Sequence, residues 1–142
     1  MIDALAVLLR VAGAGLILLA VLHIPISRHL RWREESERMS LASASVFRVH
    51  TFFICVVLAL MGLPALVSPQ IFLEPSTAGA WLTWSIAAFW ALRLFFQFFV
   101  YPAELWRGKR FETAMHVWFS LVWASLMVVF VLCGLVQLGR LG

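Results

Sequence analysis

AMHVWFSLVWASLMVVFVLCGLVQL, residues 114–138, contains no Lys, Arg, Asp or Glu. At 1.5 Å per residue a helix of this length rises about 37 Å, more than the roughly 30 Å of a bilayer's hydrocarbon core. Apolar side chains fall on all sides of it, so no face is set aside for water. Three further runs of the same kind occupy about 4–26, 47–68 and 79–101. In lipid every backbone N–H and C=O must be satisfied inside the chain, which leaves helices as the reading of such runs. Short connections then make the expected fold an all-α, up-down four-helix membrane bundle filling 1–142 as a single transmembrane domain.

The composition agrees. Of 142 residues 63% are hydrophobic and 13% charged, and the mean hydropathy is +0.97, far from that of a soluble domain. No stretch between the runs is long enough for a core of its own, so chemistry is expected within the helices or at their ends. The first run begins with Asp3, not a basic cluster, and no small-x-small cleavage site follows Pro25. It is therefore read as a retained helix. Cys55 and Cys133 lie inside apolar runs with no CxxC spacing and are read as buried small hydrophobes.

The basic residues are distributed by topology. Eight of eleven Lys and Arg residues (Arg28, Arg31, Arg33, Arg38, Arg48, Arg107, Lys109 and Arg110) flank the first and third connections, and the second, 68–78, has none. The positive-inside rule then places loops 27–46 and 102–113 in the cytoplasm and both termini outside. The partner this charge addresses is a lipid bilayer, in keeping with a multi-pass protein of the bacterial inner membrane, and not nucleic acid. Pro25 is expected to end helix 1 or break its last turn, and the segment SRHLRWREESERMSLASAS that follows to lie along the surface as a short helix anchored by Trp32, with a solvated charged loop as the alternative. Ala12, Gly13, Ala14 and Gly15 form a small-residue patch suited to close helix packing, and less to admitting a flat ligand.

Each predicted helix places its most polar residues near the cytoplasmic side: His23 on the first, His50 on the second, Arg93, Gln97 and Tyr101 at four-residue spacing on the third, and His116 on the fourth. Ionisable residues inside membrane helices usually face the bundle interior and often mark function. Several occupants suit this set. Bis-histidine haem b would use His50 and His116, with Arg28, Arg48 or Arg93 toward the propionates. A transition metal ion would use His23, His50, His116 and Glu112, the last two forming E-x-x-x-H on one helical face. A quinone or lipid headgroup would hydrogen-bond His and Tyr101 among the aromatic side chains of helix 3. The alternative is structural, with histidines at the interface and Arg93 bonded to a neighbouring helix.

G-x-S-x-G, H-E-x-x-H, a phosphate loop, CxxCH and clustered histidine boxes are all missing, which disfavours the enzyme classes they serve. Four helices without broken inverted repeats also disfavour a transporter. The block RLFFQFFVYPAELWRGKRFETAMHVWF, with R-L-x-x-Q-F-F-V-Y, then L-W-R-G and a helix opening with Glu and His, resembles a segment of small uncharacterised four-span bacterial inner-membrane proteins. The resemblance implies that helix 3, the third loop and the start of helix 4 act as one unit, and it brings no activity with it. The residues thus point to an electron-transfer or accessory subunit holding haem b or a metal ion. The alternative is a cofactor-free structural or assembly subunit touching lipid, quinone, a membrane-protein partner or a second copy of itself.

Overall fold

The computed structural model describes residues 1–29 and 39–141, with side chains left out for 25–29. Among the described residues, four helices are long and apolar enough to cross a membrane. They are α1 (Ile2–His29), α2 (Leu41–Val67), α3 (Thr77–Phe99) and α4 (Arg110–Gln137), and no strand occurs among the described residues. At most 33% of any spanning window is buried within the protein, and side chains such as Phe52, Leu60, Trp81 and Phe99 are exposed. So much outward apolar surface is untenable in water and suits lipid, the make-up of a small multi-pass membrane protein.

Helix ends differ from the apolar runs where capping chemistry sets them. α2 starts at Leu41, not 47, because Ser40 in extended backbone accepts the amide of Ser43 at 3.2 Å, satisfying an otherwise orphan donor. Ser76 starts α3 in the same way through Gly79, at 3.0 Å. α4 starts at Arg110, four residues before the apolar run, so Arg110 and Glu112 are helical and not part of the loop. α1 continues past Pro25 to His29 instead of ending there. A proline removes a single helical donor, and Pro64 is likewise carried inside α2. The expected surface helix with Trp32 and the charges Arg31, Arg33 and Arg38 lie outside the described residues.

The backbone divides into two compact units, residues 9–69 and residues 1–8 with 70–142. In the first, α1 and α2 meet at glycine. A Cβ added to Gly13 would lie 2.5 Å from the Gly62 carbonyl oxygen, and one added to Gly62 would lie 2.8 Å from that of Gly13. The small-residue patch thus serves close packing. It does so through Gly13, since Gly15 has nothing within 4 Å of its Cβ position.

In the second unit α3 and α4 pair along their length. Trp90 stacks on Trp123 with centroids 4.9 Å apart, Trp123 stacks on Phe119, and Phe130 meets Phe72 edge-on at 5.3 Å. Gly134 makes room for the Trp84 indole, which would lie 2.6 Å from an added Cβ. At the end away from the third loop, Gln137 Nε2 donates to the Ile71 carbonyl at 3.1 Å and lies 3.4 Å from that of Glu74. A carboxamide therefore ties α4 to the turn Pro69–Phe72 and its exit.

Candidate functional site

At the other end of the α3–α4 pair, three of the predicted polar residues form one chain of hydrogen bonds. Arg93 Nη1 donates to Gln97 Oε1 at 3.0 Å, and Gln97 Nε2 lies 2.9 Å from His116 Nδ1. The bonding partners fix the direction of this chain. A guanidinium has donors only, so it faces the carboxamide oxygen, and the amide nitrogen, also a donor, is left facing the imidazole. His116 Nδ1 must accept, which puts the ring proton on Nε2. Gln97 is 6% exposed, so an unbonded amide there would carry the desolvation penalty of a buried donor.

The loop after α3 shapes the surroundings. Gly108 takes φ of 80°, a turn a side chain would strain, and the chain folds back over α4. The Thr113 hydroxyl reaches the carbonyls of Trp106 and Lys109 at 2.7 and 2.8 Å. Trp106, held there, stacks face to face on His116 with centroids 3.9 Å apart, and Phe98 meets the same ring edge-on. The guanidinium carbon of Arg93 lies 5.4 Å from the ring centres of both Tyr101 and Trp123, within range of cation–π attraction. Gln97 and Tyr101 lie C-terminal to Arg93, although helical Cβ atoms tilt toward the N-terminus. The side chain turns back toward the polar end of the helix, as long cationic side chains in membranes do. Its partners among the described residues are an amide and two aromatic rings, with no carboxylate.

His23 and His50 are bonded differently. His23 Nδ1–H donates to the Leu19 carbonyl at 2.7 Å and His50 Nδ1–H to that of Val46 at 3.0 Å. In neutral form each keeps a lone pair on Nε2, the arrangement usual for metal-binding histidine. His116 has the opposite tautomer, so ligation through its Nε2 would require Gln97 to turn its amide away from Arg93. Among the described residues no group of three or more His, Cys, Asp and Glu side chains is placed to hold a metal ion. Glu112 is exposed one turn before His116, and the hydrogen bond to Nδ1 comes from Gln97 instead.

The predicted residues Arg93, Gln97, Tyr101 and His116 are therefore brought together within one unit, while His23 and His50 belong to the other. Trp106, Thr113, Trp123 and Gln137 were not foreseen as parts of the polar ties. Trp123 had a signal in the sequence, lying seven residues after His116 on one helical face just as Trp90 lies seven before Gln97. Trp106 had none, because its contact depends on how the loop folds back.

Comparison with family models, with curated proteins and with solved structures finds no match to the chain.

Proposed function

We propose that this chain is a structural or accessory subunit of a bacterial inner membrane, with loops 27–46 and 102–113 in the cytoplasm and both termini outside. The Arg93–Gln97–His116 chain clamps α3 to α4 so that the pair presents a fixed surface to a neighbouring membrane protein or to a second copy of the chain. The observation that carries this reading is the satisfaction of the polar residues by one another: Gln97 spends its oxygen on Arg93 and its nitrogen on His116. Buried polar groups in membrane helices are commonly bonded in this way to join neighbours. The test is purification in mild detergent of the wild-type chain and of Arg93→Leu. A stoichiometric partner, or a defined homo-oligomer, is expected for the wild type and is lost in the variant. A wild-type chain that is monomeric and free of partners at native expression level would overturn the reading. Cysteine labelling at positions 40 and 108 from the cytoplasmic side tests the orientation.

A second reading, a haem b or metal subunit, is favoured by the Nε2 lone pairs of His23 and His50. Imidazoles held in this tautomer by backbone carbonyls would provide axial or metal ligation, and a haem bound there would supply one-electron transfer. Its test is the absorption spectrum of protein expressed with ample haem, oxidised and then reduced with dithionite. A reduced Soret band abolished by His50→Ala supports it, and a featureless visible spectrum with no bound metal by elemental analysis removes it.

A further inference from the structure

A shallow groove opens along the start of α4, beside Gly108 and the Thr113 hydroxyl that holds Trp106 over His116. Lys109 and Arg110 form its upper rim, and Ala114, Val117, Trp118 and Leu121 continue it down the helix. These positions recur every three or four residues, so they make one stripe. Ala114 is the smallest side chain of that stripe, set between Arg110 and the large, exposed Trp118. Arg110 to Leu121 spans about 16 Å of helix, close to the roughly 15 Å of hydrocarbon in one leaflet. The groove therefore has a cationic end at the helix terminus and an apolar length matching an acyl chain.

We infer that this groove is a site for one anionic phospholipid, with its phosphate at Lys109 and Arg110 and an acyl chain laid over Ala114 beside Trp118. Charge complementarity selects the occupant. Residues 104–112 carry three basic side chains, Arg107, Lys109 and Arg110, against the acids Glu104 and Glu112. Lys109 caps α4 without a side-chain hydrogen bond, so the first-turn amides add donors at the same place, with Glu112 of that turn offsetting part of their positive potential. A zwitterionic lipid gains less, because its choline would face the same cations. The inference holds whether the α3–α4 clamp or the cofactor reading is correct.

The experiment is native mass spectrometry of the full chain in detergent, titrated with phosphatidylglycerol or with phosphatidylcholine of the same acyl chains. One phosphatidylglycerol is expected to be retained in preference to phosphatidylcholine. The double variant Lys109→Gln/Arg110→Gln should weaken it roughly 30-fold, from about 1 kcal/mol per basic residue at a membrane surface. Ala114→Leu keeps the charges and helix propensity but fills the notch, and it should reduce retention with an unchanged far-ultraviolet circular dichroism spectrum. Equal retention of both lipids, or of phosphatidylglycerol by wild type and both variants, would overturn the inference. So would a dimer that forms through the groove and dissociates in Ala114→Leu, since the occupant would then be a second copy of the chain.

Discussion

At Gly13 and Gly62 two helix backbones approach with no side chain between them, whereas along α3 and α4 indole and phenyl rings fill the space, one carboxamide bonds across the pair at one end, and another ties α4 to the turn before α3 at the other. Both arrangements answer the same difficulty. Lipid is as apolar as the side chains it surrounds, so helices gain little by hiding hydrophobic surface and must associate through close contact or hydrogen bonds. Gly13 and Gly62 achieve contact by subtraction and Trp90 and Trp123 by complementary shape. The first contact fails when anything is added, and the second when something is removed.

Trp123→Ala should have the largest effect, because it removes the ring shared by Trp90, Phe119 and Arg93. Thermal unfolding in detergent is expected to show a loss of about 3 kcal/mol, the low end for emptying a buried Trp, since lipid lessens the transfer part. Gly13→Val tests the opposite sensitivity: its Cβ would enter the space of the Gly62 carbonyl and the Leu66 amide. About 1–3 kcal/mol of overpacking follows, read as weakened crosslinking between cysteines placed along α1 and α2 while α3–α4 crosslinks persist.

A double-mutant cycle on Gln97→Leu and His116→Phe isolates the carboxamide contact. His116→Phe alone leaves a buried amide donor unbonded, and adding Gln97→Leu should recover part of the loss, with a coupling of about 0.6–1.7 kcal/mol. Additive effects would show that the hydrogen bond contributes nothing beyond the two side chains. The smallest change is expected at Gly15→Ala. Nothing lies within 4 Å of its Cβ position, so the melting temperature should stay level or rise with helix propensity. A loss as large as that at Gly13 would mean that the whole small-residue patch, and not one crossing point, holds α1.

The polar residues at one end of α3 and α4 were legible because Arg93 and Gln97 lie four residues apart on one helical face and His116 opens the next apolar run; Tyr101, expected on that same face, falls in the turn two residues past the end of α3 and meets Arg93 from there. Their mutual bonding was not legible. It depends on the antiparallel register that sets Trp90 against Trp123 and, seven residues along each helix, Gln97 against His116. A sequence shows which residues share a face, and it does not show how far one helix slides along another. The extension of α1 past Pro25 was hidden for a different reason: a proline signal gives the cost of one lost donor but not whether neighbouring turns absorb it.

By itself the sequence determined four membrane-length helices, since their length and apolar content follow directly from the thickness and dryness of hydrocarbon. It also determined which helix faces carry polar groups, through the 3.6-residue period. Only tertiary structure decided that Gly13 and not Gly15 makes the crossing, and that Trp106 folds back onto His116. It likewise decided the protonated nitrogen of His116, which is set by Arg93 acting through Gln97. Such outcomes depend on distances of a few ångströms between segments far apart in the chain, where van der Waals contact and hydrogen-bond direction, not residue type, select the partner.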